Sequence, residues 1–326
     1  MQIRKPSFYE AFRCIASACP DSCCKEWDVA VDRKTAAFYR TIPGELGDRL
    51  RFFLREEAGT DYLTLEHGRC PMWRQDGLCR IQAELGEDAL CKTCRDFPRL
   101  THDYGGFVEL GLELSCPEAA RILLGQEDWR WVQTGEAAHT DDYDAQDMDM
   151  LLRTRDYAME LTKREDPLSS LLMYGIHVQA QLDGAEALPF DPEDIPQAPG
   201  QGDGDALLEV FRNLEILTDS WRARLSHPSP RGLMDSDRAM LRYLISRYWL
   251  QAISDYDLVA RVKLLVAAVL LVCLLGGDPV KTAQAFSKEI ENDADNVDAL
   301  LDGAYTLTGL TDANLLGLAK MVIKDS

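Results

Sequence analysis

Nine of the ten cysteines of this chain fall before residue 117, and that crowding constrains the fold more than any other feature. They arrive as Cys14-x4-Cys19-x3-Cys23-Cys24, then Cys70-x8-Cys79-x11-Cys91-x2-Cys94, and last Cys116. Cysteines scattered through a core for packing do not bunch in this way. Thiolates are soft ligands suited to zinc or iron–sulfur clusters, and ligands close in sequence lose little entropy when the chain closes around an ion. The spacing predicts a metal or cluster module. The tenth cysteine, Cys273, lies in an apolar stretch and reads as core packing.

Residues 1–10 carry no apolar run and no small-residue cleavage site, which points to a cytoplasmic protein without a secretory signal. In that compartment disulfides are disfavoured and dense cysteines read as metal-binding or redox-active. The one membrane-like run, Leu264 to Leu275, would rise roughly 18 Å as a helix, short of a hydrocarbon core of about 30 Å. It predicts a buried core helix and no membrane partner. The net charge is −20, and its acidity is uneven: residues 1–124 hold 17 Lys and Arg against 20 Asp and Glu, the remainder 18 against 35. Tracking a nucleic-acid backbone needs the opposite balance, so nucleic acid is excluded as a partner. A basic substrate would be tolerated, and a solvated acidic surface is the plainer reading.

The predicted fold class is mainly α, with a Cys-rich module over 1–124 carrying a few short strands and an acidic helical part over 125–326. Within the module, Val29 and Val31 alternate as in a strand, Tyr62 to Leu65 reads as a second, and Gly106 to Leu114 as extended chain. Cys79 falls near a helix start. Ser115-Cys116-Pro117-Glu118 puts proline just inside a helix, leaving Cys116 at the N-cap, where unpaired N–H groups favour the thiolate. Beyond Gly125 come long amphipathic patterns at 142–164, 167–183, 206–225, 232–253, 257–275, 279–291, 297–307 and 311–323. Between two of them, 184–205 carries Pro189, Pro192, Pro196 and Pro199 among glycines and acids, and reads as a flexible surface segment.

Adjacent Cys23 and Cys24 seldom bind one small ion together, so the pair suits two metals or a multi-iron cluster. Neither burst has a ferredoxin spacing, the radical-enzyme spacing Cys-x3-Cys-x2-Cys is missing, and only Cys91-x2-Cys94 forms a zinc knuckle. Zinc and iron–sulfur both stay open, with His67 able to complete a mixed zinc site. Asp142, Asp144, Asp147 and Asp149 lack the glycine of a calcium loop, as do Asp293, Asp295 and Asp298. No dinucleotide-binding glycine motif, Walker lysine or serine elbow occurs. Trp129 and Trp131 could stack a planar ligand, though anchoring a loop or packing a helix is the plainer role.

Four motifs in order resemble one family. They are Phe12-Arg13-Cys14-x4-Cys19-Pro20-Asp21-Ser22-Cys23-Cys24-x2-Trp27, Cys70-Pro71 through Asp76-Gly77-Leu78-Cys79-x-Ile81, Leu90-Cys91-Lys92-Thr93-Cys94-Arg95-x-Phe97-Pro98-Arg99, and Leu114-Ser115-Cys116-Pro117-Glu118-Ala119-Ala120-Arg121. Over residues 8–124 the chain resembles the flagellin lysine-N-methylases (FliB-like), relatives of small Cys-rich zinc- or iron-chelating domains of the YkgJ type. The resemblance implies methyl transfer from S-adenosylmethionine to lysines of flagellin, with an iron–sulfur cluster, 4Fe-4S in kind, held by Cys14, Cys19, Cys23, Cys24, Cys70, Cys79, Cys94 and Cys116. Zinc is the alternative ion, and Cys91 becomes the spare. A lysine must lose its proton before it attacks a sulfonium methyl, and Asp96, Tyr39 and Tyr104 lie near the motifs. The rival reading is a non-enzymatic zinc or cluster module that binds a partner protein or transfers electrons.

Overall fold

The computed structural model describes residues 1–186, 188–196 and 200–324. The chain opens as strand β1 (Gln2–Pro6), makes one 3-10 turn at Tyr9–Ala11, and passes the first Cys burst before β2 (Val29–Val31), whose two valines share a buried side. Asp32 then stops the strand and starts helix α1 (Arg33–Thr41), its carboxylate accepting the Thr35 N–H at 3.0 Å. There follow α2 (Gly44–Phe53), β3 (Leu54–Glu57), β4 (Thr60–Leu63), α3 (Arg80–Leu85), α4 (Lys92–Asp96), β5 (Arg99–Asp103), β6 (Phe107–Leu112), α5 (Pro117–Leu124) and β7 (Trp131–Thr134).

These strands make two sheets. One is antiparallel, β2-β4-β3, and with α1 and α2 it encloses a small core of Val29, Val31, Tyr39, Leu50, Leu63, Met72 and Cys91. The other has the order β5-β6-β1-β7, in which β1 runs parallel to β6 and antiparallel to β7. A parallel pair needs a long crossover, and here the crossover is the Cys-rich stretch itself. It leaves beside Phe12 and returns at Arg99, whose guanidinium lies 5.2 Å from the Phe12 ring. The four-stranded sheet shares its core with the helices, and β7, from beyond residue 125, completes it.

The rest is helical: α6 (Ala145–Leu161), α7 (Pro167–Leu182), α8 (Gly204–Arg212), α9 (Asp219–Ser226), α10 (Asp235–Tyr248), α11 (Leu258–Leu275), α12 (Pro279–Phe286), α13 (Ala294–Gly303) and α14 (Asp312–Lys324). The chain is mainly α, as expected. α11 is longer than its apolar run: 18 residues, a rise of about 27 Å. It is long and apolar enough to cross a membrane, yet is buried along its length, packed against α7, α10, α12 and α14. The single helix expected over 206–225 is two. Asn296 Oδ1 accepts the Glu215 N–H at 2.9 Å and Glu289 Oε2 the Leu217 N–H at 2.8 Å, so long-range partners take the donors a continuous helix would have used. Of the segment 184–205, residues 187 and 197–199 lie outside the described residues. Elsewhere in it Phe190 packs on Tyr174 and His177, and Glu193 pairs with Arg164 at 2.5 Å. Trp131 stands in a strand rather than a helix or loop, stacked on Arg155 at 4.6 Å.

The acid-rich stretches resolve into local structure: Asp144 caps α6, Asp293 caps α13, and Asp147 accepts the Tyr256 hydroxyl at 2.8 Å. Directly after α12, residues Ser287–Glu291 widen into a buried π-turn, closed by Asn292 N–H on the Ser287 carbonyl at 3.2 Å. Such turns are rare and frequently mark functional sites.

Candidate functional site

The two Cys bursts are stitched together by backbone pairing. Cys70 N–H donates to the Cys24 carbonyl at 2.7 Å, Glu26 N–H to the Gly68 carbonyl at 3.1 Å, and Lys25 bridges Arg69. Cys79, Cys91 and Cys116 stand at the N-caps of α3, α4 and α5. All ten cysteines are free thiols; Cys70, Cys91, Cys116 and the distant Cys273 are buried, Cys19, Cys24 and Cys79 half-buried, Cys14, Cys23 and Cys94 exposed.

By mutual electrostatic influence the thiols fall into two neighbourhoods. Cys14, Cys19, Cys23 and Cys116 form one; Cys24, Cys70, Cys79, Cys91 and Cys94 form the other, and the Cys23–Cys24 peptide joins them. Cys91, the spare of the sequence pattern, lies among the second set. Among the described residues no three or more His, Cys, Asp or Glu side chains stand close enough to hold an ion, so the fold gathers donors without closing a cage. His67 is exposed in the turn between Glu66 and Arg69.

Two thiol pairs influence each other most: Cys23 with Cys24, across the junction of the two neighbourhoods, and Cys91 with Cys94, inside the second. The Cys23 hydrogen bond holds Cys24 down to about 7, while that bond and burial push Cys23 up. Cys94 likewise holds Cys91 down to about 7 and is itself raised. Cys116 differs from expectation. The N–H groups of Ala119 and Glu118 do pull its thiol down, but burial outweighs them and pushes it up to about 11.

Cys23 and Cys94 also line a pocket of about 630 Å³ between the Cys-rich stretch and the helices. Trp27 and Phe97 supply its apolar wall, their rings 6.2 Å apart and edge-on. The opposite wall is the π-turn with Lys288, Glu289 and Glu291, together with Arg247 of α10; Glu113, just after β6, adds a further carboxylate. Glu215, Asp28, Asp293 and Asp295 add acids to the lining. Lys288, nearly buried, reaches across to the first Cys burst, pairing with Asp21 at 3.2 Å and with Glu26. Gln284 reinforces that seam, donating to the Ser115 carbonyl at 2.7 Å and to Asp21 at 3.0 Å. Sequence reasoning missed this pocket because its polar residues come from six separate parts of the chain, around residues 23–28, 93–94, 113, 215, 247 and 288–295. The base candidates near the motifs do not line it. Asp96 is on the surface with Lys92, Tyr39 donates to the Ala89 carbonyl at 2.9 Å, and Tyr104 is packed against Phe107 with their centroids 5.1 Å apart.

Comparison with known proteins gives three similar curated sequences. The chain is 35% identical over 133 residues to the flagellar biosynthetic protein FliU of Salmonella muenchen, a match covering 39% of this chain and 79% of FliU. The chain belongs to the FliB-like lysine-N-methylase family. It is also 35% identical to the lysine-N-methylases of Salmonella typhimurium and Salmonella choleraesuis, over 133 and 136 residues. Those matches span 39% of this FliB-like chain and 33% of each methylase. No family model matches the chain, and no solved structure does. For a FliB-like chain the pocket is the natural place to look for chemistry: it puts thiols, a π-turn and an excess of carboxylates around one cavity.

Proposed function

We propose that this chain is a protein lysine N-methylase that uses S-adenosylmethionine, acts on flagellin, and carries an iron–sulfur cluster on its N-terminal cysteines. The observation that carries the reading is the pocket itself. Its carboxylates outnumber Arg247 and Lys288, which suits a lysine ammonium, and Trp27 and Phe97 suit the aliphatic stem of that side chain. A cavity of about 630 Å³ falls within the range that accommodates small ligands. The family's named methylases support lysine methylation as the class of reaction.

The donor set is chemically apt for a thiolate-held centre, since soft, free cysteines gather in two groups joined at the Cys23–Cys24 peptide, although among the described residues no three of them stand close enough to hold an ion. The residues that would hold it are Cys24, Cys70, Cys79 and Cys94 on one side of the Cys23–Cys24 peptide and Cys14, Cys19, Cys23 and Cys116 on the other. Bound there, such a centre would supply structural order and electrostatic or redox character. The chain's own residues do the binding: the acidic wall draws in the cation, the aromatic wall desolvates it, and the Lys288 bridge keeps the two halves of the pocket together.

The test is purification without oxygen, followed by iron, zinc and acid-labile sulfide analysis, and incubation with purified flagellin and methyl-labelled S-adenosylmethionine. The expected result is iron with sulfide and label on flagellin lysines. Zinc without sulfide removes the cluster; unlabelled flagellin removes the methylase.

A further inference from the structure

Most carboxylates of the pocket are already committed. Glu291 accepts the hydroxyls of Tyr243 and Tyr248, each at 3.1 Å, and the Nε of Arg247 at 3.4 Å. Glu289 accepts the Leu217 N–H at 2.8 Å and the Thr218 hydroxyl. Asp293 is occupied in capping α13 and Asp28 accepts the Leu65 N–H at 2.9 Å. Glu215 and Asp295 are exposed at the rim.

Glu113 is unlike these. It is half-buried directly after the end of β6, opening the turn that Cys116 N–H closes on its carbonyl at 3.4 Å, and between the core residues Leu112 and Leu114 it lines the cavity. Its N–H donates to the Pro98 carbonyl at 2.7 Å, which pins the residue. Among the described residues the one hydrogen bond to its carboxylate comes from the Ser115 hydroxyl, on Oε2 at 3.1 Å. Among the described residues Oε1 has no hydrogen-bond partner and no ion pair restrains the carboxylate. The charges that face it are Arg247 of α10 and Glu291 of the π-turn, and Arg247 is held by the Tyr243 hydroxyl at 2.7 Å and by Glu291.

We propose that Glu113 is the general base of the site, its free oxygen taking the proton of a lysine ammonium bound in the pocket. This rests on the methylase reading and names the catalytic residue within it. The ammonium gives a proton to Glu113 and becomes a neutral amine. The amine lone pair then forms the C–N bond to the sulfonium methyl as the C–S bond breaks and its electron pair stays on sulfur. The proton on Glu113 passes to solvent, so the turnover releases one proton. Glu289 and Glu291 do not compete for the role because donors of the fold already fill their oxygens.

The experiment compares wild type, Glu113→Gln and Glu113→Asp in the full chain. Calorimetry with N-acetyl-lysine methylamide should show at least a ten-fold weaker affinity for Glu113→Gln, with Glu113→Asp intermediate. Flagellin methylation by Glu113→Gln should fall about 10²-fold or more near neutral pH. The deficit should shrink towards pH 10, where free lysine begins to lose its proton unaided. A purely structural role would leave the deficit constant with pH, and that result, or equal binding of the lysine mimic by wild type and Glu113→Gln, overturns the assignment. If wild type binds the mimic through Glu113 yet leaves flagellin unmethylated, the methylase reading falls and the amine site stands.

Discussion

Glu109→Gln is expected to cost about 3–5 kcal/mol of stability, the range for breaking a buried ion pair from one side. Glu109 lies on β6 and is 2% exposed. Two guanidinium groups converge on it. Arg155 of α6, fully buried, donates from both terminal nitrogens at 2.7 and 2.8 Å, and Arg4 of β1 approaches at 3.5 Å. The triad carries two positive charges and one negative, so losing the carboxylate leaves like charges facing an amide. Removing Arg155 instead leaves Arg4 and Glu109 neutralising each other. Arg155→Met should therefore cost less, about 2–3 kcal/mol for the lost charge-assisted bonds. Equilibrium urea unfolding of the two variants gives the order directly, and the reverse order would show that the carboxylate is not the centre of the cluster. The same strand leads into Glu113, so loosening it should also lower affinity for the lysine mimic.

Gly276→Ala is expected to be at least as damaging, a loss of more than about 3 kcal/mol from strain and forced movement of backbone. Gly276 ends α11 with φ 65° and ψ −153°, a combination essentially reserved for glycine. An added Cβ would also lie 1.8 Å from the Ser229 carbonyl oxygen. The next residue provides the control. Gly277 has φ 72°, yet the nearest atoms to an added Cβ are 3.9 Å away. Gly277→Ala should cost only about 1–2 kcal/mol, the price of a left-handed backbone without a clash. Soluble yield and urea midpoint separate the two, and similar losses for both would mean that the Ser229 contact is relieved without cost.

What could be read from sequence was what is local in sequence. Proline at the first position of α5 placed Cys116 at an N-cap, and the spacing of apolar residues placed most helices. The effect of that cap on the thiol was not legible, because burial, which depends on the whole fold, outweighs the N–H groups. β1 had no local signal: Gln2 pairs with Phe107, a partner supplied only after the Cys-rich stretch is complete. The break between α8 and α9 comes from Asn296 and Glu289, far along the chain. The pocket was hidden for the same reason. Cys23 and Cys94 were conspicuous as cysteines, whereas Glu113, Arg247 and Glu291 look like ordinary charges until the π-turn and the sheet bring them together.

The contact between Phe12 and Arg99 has a consequence for modularity. A segment that departs and comes back at one spot can be excised, exchanged or lengthened without re-routing the framework, because the ends to be rejoined already adjoin. With residues 14–98 replaced by a short glycine-serine bridge, the four-stranded sheet and the helices are expected to keep their circular-dichroism signature. The segment that carries eight of the nine clustered thiols is thus inserted as a graft, while Cys116 stays with the framework.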